Sequence, residues 1–479
     1  MPSPATSKGS TELAGHRVDR STLPLLLTLG LGVFAGALDL GVLSPALPAI
    51  GKQFSIADGN LAWIFTIYLL VTIVSIAVAA TLADRLGRRP IYMTCITVFA
   101  LGSLAAVFAP NYPVFLLARA IQALGAGGIF PVATATIGDV VPSERRGAAL
   151  GIVAATWGVA AIIGPAFGGL ITHLLSWRWI FILNFPLAAT VLVLARTHVP
   201  NRAAHARGPL DIGGLTLLAG GLLALMFGIQ SIAPIPILLG IVLLGGFVQQ
   251  ERRSRNPVVP LSIFATPQLA KTYGLELLIG ILEGSLFFVP TVLVGAQGLS
   301  YATAGGIAAL GALAFVTIIP ISGRALDRIG SRDVLLTGAL FTEAGLLIFA
   351  LGFGSLPLAI LAMLVAGAGF GALLGAPTRY IVTTAVATPF RATAVGLLSQ
   401  MLIIGQILGS SLAGGIMNAA SNELLGYRAA YLTFSAVALL ALALAGTLAA
   451  RHAEASNARA VEQKASGPHS VEACNYDDT

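Results

Sequence analysis

The sequence predicts an all-α membrane protein of fourteen spans, and three observations predict it. Charged residues make up only 10% of the 479 positions while hydrophobic ones make up 56%, whereas a soluble domain carries about 25% charge. Fourteen apolar stretches follow one another along the chain, most of them near the roughly 20 residues a bilayer-crossing helix needs. The basic residues fall between those stretches and on alternate sides. With a mean hydropathy of +0.89, most of the surface has lipid rather than water as its solvent.

In order, the stretches run Leu23 to Leu47, Leu61 to Leu82, Ile91 to Phe108, Val114 to Gly138, Ala148 to Thr172, Trp179 to Ala195, Ile212 to Ser231 and Ile235 to Val248. The remainder run Tyr273 to Ala296, Ala302 to Gly323, Val334 to Gly352, Leu356 to Thr378, Ala392 to Met417 and Ala429 to Ala450. Each is too long for a barrel strand and none alternates with period two, which leaves helices as the spanning form. The eighth is the weakest, being short and crowded by Pro234 and Pro236.

Charge supplies the orientation. Of 27 Lys and Arg, all but Lys52, Arg119, Arg178 and Arg428 lie in the tails or in every second loop, and the positive-inside rule places that set in the cytoplasm. An even span count then puts both tails there. The net charge of +7 is therefore a topology signal and not a nucleic-acid surface. The first 21 residues are polar and read as a retained tail rather than a signal peptide. Cys95 and Cys474 stand far apart, so no disulfide framework or metal spacing exists. Disorder and a large catalytic ectodomain are excluded by the same composition, and no GxxxxGK[ST], HExxH or CxxC motif is present. An enzyme is not expected, nor is any cofactor.

The chain repeats itself. Gly164 to Ile171, GPAFGGLI, lines up with Gly409 to Ile416, GSSLAGGI, at an offset of 245, and Asp84-Arg85-Leu86-Gly87 resembles Asp327-Arg328-Ile329-Gly330 at 243. GALDLGVLSP from Gly36 resembles GILEGSLFFVP from Gly280, making Glu283 the counterpart of Asp39. The predicted organisation is a tail at 1–21, a six-helix bundle at 22–197, a linker at 198–210, an inserted two-helix hairpin at 211–250, a linker at 251–271, a second six-helix bundle at 272–450 and a disordered tail at 451–479.

The loop Ala80-Thr81-Leu82-Ala83-Asp84-Arg85-Leu86-Gly87-Arg88-Arg89 carries three arginines beside an acid at a tight turn. Such charges can hold neighbouring helix ends together as a cytoplasmic gate, with Asp327 and Arg328 repeating the pattern; the plainer reading is a topology signal alone. Gly164, Pro165, Gly168 and Gly169 in the fifth span remove side-chain bulk and a backbone donor, permitting close helix approach and a bend. Asp39 and Arg119 lie at similar depths, about 8 to 12 Å from the outer boundary, and can meet across a central cavity. Ionisable residues within spans are costly and mark function. Asp39 is a candidate proton carrier, and a permanent structural ion pair is the alternative. Glu283 is a candidate for binding a cation or a second proton, with Phe287, Trp63, Tyr68 and Trp157 as an aromatic surface for lipophilic cations. Packing is the alternative role for those aromatics. Glu276 lies nearer the cytoplasmic end, and Glu343 sits in a span where a packing role is expected.

Together with Gln122 and Gly125 in the fourth span, Ala46-Leu47-Pro48 after Asp39, and Leu210-Asp211 with Gly213 or Gly214, these motifs resemble the major facilitator superfamily, in its fourteen-helix drug:proton antiporter branch. The likeness covers about residues 22 to 450 and departs at Ala80 and Ala123, where the family pattern has Gly, and at Gly41, Ser44 and Pro45, where Thr, Asn and Val are commoner. It implies a major facilitator fold and proton-coupled export of an amphipathic or cationic small molecule by a monomer among membrane lipids. Export of an endogenous lipid or metabolite, or a non-transporting sensor, are the other readings.

Overall fold

A computed structural model describes residues 22–200, 211–254, 257, 266–386 and 391–450. The two terminal tails, and much of both linkers read from the sequence, lie outside the described residues. Helices account for the architecture and no strand occurs among the described residues.

Among the described residues, fourteen helical spans are long and apolar enough to cross a bilayer. Spans 1 to 6 are Leu23–Phe54, Asp58–Leu86, Arg88–Val107, Tyr112–Val140, Ala149–Leu174 and Arg178–His198; spans 7 and 8 are Ile212–Ser231 and Pro234–Arg253. Spans 9 to 14 are Pro267–Gln297, Tyr301–Ile329, Ser331–Gly352, Leu356–Ala385, Thr393–Ala419 and Glu423–Gly446. Several outrun the apolar stretch that signals them, because a helix continues wherever polar side chains reach water. Span 12 is the clearest case: it is interrupted after Leu373 and resumes as Pro377–Ala385, beyond the expected end at Thr378. Span 8, short by hydropathy, is completed at its tail-side end by Gln249, Gln250 and Glu251.

Packing reproduces the repeat. Span 1 lies against spans 5 and 6, span 2 against 4, and span 3 against 4 and 6; the same pairs recur as span 9 against 13 and 14, span 10 against 12, and span 11 against 12 and 14. The fold is thus two six-helix halves with a hairpin, spans 7 and 8, between them in sequence. Asp211 caps span 7 by accepting from the Gly214 N–H at 2.7 Å, and hydrogen bonds from Ser254 and that N–H hold its carboxyl below the usual carboxylate range. Spans 1 and 9 break at matching points, after Leu43 and after Leu286. A proline follows each break, Pro45 and Pro290, where a missing donor makes an interruption cheap.

Residues 22 and 447 lie on one face of the bundle, called here the tail face; the other is the distal face. The halves meet along two seams, span 5 with span 10 and span 2 with span 13. Both seams are closed distally. A Cβ on Gly169 would lie 2.4 Å from Tyr301 O, and one on Gly305 2.3 Å from Pro165 O. In the other seam the Thr66 hydroxyl lies 3.3 Å from those of Ser410 and Ser411. Asn418 donates to Asn60 at 2.8 Å, and the Tyr427 hydroxyl donates to Asp58. The Phe65 and Phe287 rings stack across the halves with centroids 4.1 Å apart, and Ser44 Oγ donates to Phe287 O at 2.7 Å.

Toward the tail face the seams diverge. A Cβ on Gly158 would find Val316 at 3.6 Å, yet one on Gly151 or Gly323, about two turns further along the same helix faces, would have no heavy atom of a packed neighbour among the described residues within 4 Å. Gly396, on the face of span 13 that carries Ser410, is equally open. Among the described residues the halves therefore enclose a cleft sealed distally and open to the tail face.

The glycines of span 5 serve two partners. A Cβ on Gly168 would lie 2.1 Å from Val42 O in span 1, while Gly169 faces span 10. Because the obstructing atom at Gly168 is backbone, Gly168→Val is expected to cost about 1–3 kcal/mol through overpacking and to lower the melting temperature of the purified protein in detergent. Gly151→Ala, in open space, is expected to leave it unchanged or higher.

Candidate functional site

Five spans of the first half converge on one buried polar cluster. Asp39 of span 1 accepts from Arg119 Nη1 of span 4 at 2.5 Å. Its other oxygen accepts from Gln122 Nε2 at 2.7 Å and from Asn184 Nδ2 of span 6 at 3.2 Å. Gln122 Oε1 accepts from the same guanidinium nitrogen at 2.5 Å. Ser103 Oγ of span 3 accepts from Gln122 at 2.9 Å and from Asn184 at 3.1 Å. The guanidinium carbon lies 4.1 Å from the centre of the Tyr68 ring of span 2. Asp39 is 1% exposed and Arg119 0%.

Local sequence explains why these groups can meet. Spans 3 and 4 touch backbone to backbone: a Cβ on Gly102 would lie 2.3 Å from Gln122 N, and one on Gly125 2.3 Å from Phe99 N. That approach brings Ser103 within reach of Gln122. Arg119 and Gln122, three residues apart on one helix face, then address the same carboxylate. Burying an isolated charge is prohibitive, so Asp39 and Arg119 require each other. Arg119 Nε and Nη2 nonetheless have no hydrogen-bond partner, and the Tyr68 ring face is the electron-rich surface beside them.

The expected meeting of Asp39 and Arg119 is found, with a corrected location: the pair is enclosed within the first half and does not reach across the cleft. The repeat register is corrected too. Span 1 ends its first helix at Leu43 and span 9 at Leu286, an offset of 243 that also relates Asp84 to Asp327. At that offset Asp39 corresponds to Leu282, which is 0% exposed. Glu283 follows it by one residue, about 100° around the helix. It is half-buried and accepts from Gln406 Nε2 of span 13 at 3.0 Å. Glu276, about two turns toward the tail face on the same side of span 9, is 6% exposed and has one oxygen without a partner. Glu343 accepts from Ser435 at 2.6 Å between spans 11 and 14, in keeping with a packing role.

The aromatic candidates separate. Trp157 is 46% exposed. It projects between Thr156, which meets span 1 at Gly30, and Gly158, which meets span 10 at Val316, each about 100° away around the helix, and away from the lipid side carrying Ile152, Val159 and Ile163. It therefore lines the cleft. Tyr68 is 2% exposed over Arg119, Phe287 forms part of the distal seal, and Trp63 packs beside Phe227 of span 7 with centroids 6.3 Å apart.

At the tail face, Arg88 Nη1 bonds Asp84 at 2.5 Å and its Nε bonds Asp139 of span 4 at 2.9 Å. Gly87 alone joins spans 2 and 3 at φ 100°, and Gly330 joins spans 10 and 11 at φ 88°, a region that favours glycine. Asp84 is buried. The loop thus ties three helix ends of the first half together; Arg85, and Asp327 and Arg328 at the end of span 10, also make interactions of their own.

Two six-helix halves about a cleft, one enclosing an ion pair and the other presenting a half-buried acid, define a multi-pass membrane transporter. The chain matches the Major Facilitator Superfamily family model over residues 29–297 and 277–473, and it belongs to that family. It is 31% identical over 412 residues to the uncharacterized MFS-type transporter YfiU of Bacillus subtilis (strain 168), covering 82% of this chain and 79% of that protein. It is 30% identical to the multidrug resistance protein Stp of Mycobacterium tuberculosis (strain ATCC 25618 / H37Rv), covering 84% and 77%. With the multidrug transporter protein MdtP of Bacillus subtilis (strain 168) the identity is 29%, covering 85% and 77%. In fold it is similar to a D-xylose-proton symporter, with a TM-score of 0.66, 14% identity and coverage of 89% and 98%. It is also similar to a bacterial homolog of the human lysosomal transporter Spinster in an inward-facing conformation, with a TM-score of 0.64, 18% identity and coverage of 94% and 100%.

Sequence reasoning passed over Ser103 and Asn184, neither charged nor part of a motif. The available signal was an amide and a hydroxyl well inside apolar spans, where polar groups require partners. Removing one member of a buried ion pair strands the other, at a cost of about 3–5 kcal/mol. Asp39→Asn and Arg119→Gln are each expected to lower thermal stability in detergent, and the double variant is expected to lose less than the sum. Strict additivity would mean that the two do not interact.

Proposed function

We propose that the protein is a proton-coupled antiporter that exports amphipathic, cationic compounds from the cytoplasm by alternating access, acting as a monomer in the bacterial inner membrane. The observation that carries this reading is the enclosure of the Asp39–Arg119 pair at the junction of five spans in one rocking half. Ionised, Asp39 holds spans 1, 4 and 6 through Arg119, Gln122 and Asn184, and the two amides hold span 3 through Ser103. On taking a proton it loses the charge that binds Arg119, the guanidinium turns further onto the Tyr68 ring, and the cluster loosens. Proton occupancy is thereby coupled to the shape of the half.

The basic loops support a cytoplasmic tail face, and on that reading the cleft is open to the side from which an exporter loads. Within it Trp157 offers an aromatic face and Glu283 a half-buried carboxylate, a pairing suited to a lipophilic cation. The Asp84–Arg88–Asp139 tie keeps the cytoplasmic ends of spans 2, 3 and 4 together during the rocking motion. The names of relatives such as Stp and MdtP support the same reading.

Proteoliposomes with an imposed pH gradient and tetraphenylphosphonium as probe test this. Gradient-driven flux is expected, with Asp39→Asn reducing it by about tenfold or more while gradient-free exchange persists. Undiminished gradient-driven flux in Asp39→Asn removes Asp39 as proton carrier. Glu283→Gln is expected to weaken cation binding; flux of neutral lipids or metabolites, with none of the cation, favours the endogenous-substrate reading instead.

A further inference from the structure

The inserted hairpin is placed where it can act on the transport cycle. Span 7 packs against span 13 of the second half and span 2 of the first, so it lies over one of the two seams. Its Gln230 is 4% exposed. Gln230 Nε2 passes within 3.0 Å of where a Cβ on Gly414 would stand and donates to Gly59 O, across the seam, at 3.4 Å. Gly59 O is itself 2.4 Å from that same Cβ position. Three elements, the start of span 2, the end of span 13 and the end of span 7, thus meet at one point, where the backbones of Gly59 and Gly414 touch and the Gln230 amide reaches both. Below this point Trp63 of span 2 packs on Phe227 of span 7. Alongside it, a Cβ on Gly415 would lie 2.6 Å from Ile229 O.

We infer that the hairpin is a clip on the span 2–span 13 seam, carried by the second half and gripping the first through Gln230 and Phe227, which favours the distally closed state. Distal opening requires span 2 to leave span 13. Gly59 must then release both Gly414 and Gln230, and Trp63 must leave Phe227. The hairpin adds these contacts to the closed state alone, and an element that binds one of two states shifts the equilibrium toward it. The hydrogen bond is long, so its share is small and reversible, as a cycling protein requires.

The test reads conformation and needs neither substrate nor proton gradient, so its failure is distinguishable from failure of the transport reading. Ser410, fully buried in the seam beside Thr66, is replaced by Cys in a full-length protein lacking Cys95 and Cys474, and N-ethylmaleimide labelling is followed in detergent. Gln230→Leu, which removes the donor, and Phe227→Ala are each expected to speed labelling of the Ser410→Cys site by about three- to tenfold, the effect of losing one modest contact. Gly245→Leu, in open space on the same hairpin, is expected to change nothing. Gly415→Leu, which forces span 7 away, is expected to act like Gln230→Leu; if it does not fold, the other two variants decide. Labelling rates in Gln230→Leu and Phe227→Ala equal to that of the parent would overturn the proposal.

Discussion

The enclosure of a guanidinium in a bundle surrounded by lipid is the constraint on which the first half is built. Arg119 is fully buried, and a buried guanidinium requires a countercharge and hydrogen-bond acceptors. Everything around it answers that fact. Asp39 supplies the countercharge, Gln122 and Asn184 fix the carboxylate, Ser103 receives what they have left to donate, and the Tyr68 ring covers the open side. The glycine contacts between spans 3 and 4 are part of the same solution, since a wider spacing would leave Ser103 out of reach. A cluster of this kind specifies one arrangement of five helices more sharply than aliphatic packing does.

The second half repeats the backbone without the cluster. Its helices pair in the same pattern and break at the same offset, yet aliphatic Leu282 stands where Asp39 stands in the first. The acid of span 9 is instead turned by one residue toward Gln406 and the cleft. A common scaffold has thus been given two chemistries: one half encloses a charge pair, and the other carries a half-buried carboxylate hydrogen-bonded to Gln406. Such a division is possible because span packing is set by small residues and apolar stripes, which leave individual positions free to change chemistry.

Much of the scaffold was legible in the sequence because lipid is an unforgiving solvent. It demands long apolar runs, restricts charge to the ends and repeats its demands in each half, so span number, the two halves and the depth match of Asp39 with Arg119 could be read directly. Rotation about a helix axis was less legible. Placing Glu283 opposite Asp39 required matching two acids, and matching their identities concealed a shift of one residue that only the break at Leu286 exposes. The same uncertainty grouped Tyr68, Trp63, Phe287 and Trp157 as one surface, whereas they face four different neighbours. Ser103 and Asn184 were invisible for a further reason: hydroxyls and amides are tolerated in spans, so their presence alone raises no alarm.

The single glycines that join span 2 to span 3 and span 10 to span 11 have a mechanical meaning. A connection of one residue has no slack, and Arg88 extends the first of these junctions to span 4. A pull on span 2 at its seam must therefore be delivered in full to its neighbours at the opposite membrane surface, with no loop to absorb it. Each half behaves as a crank with a stiff elbow, and the travel available at one surface is set by the displacement at the other.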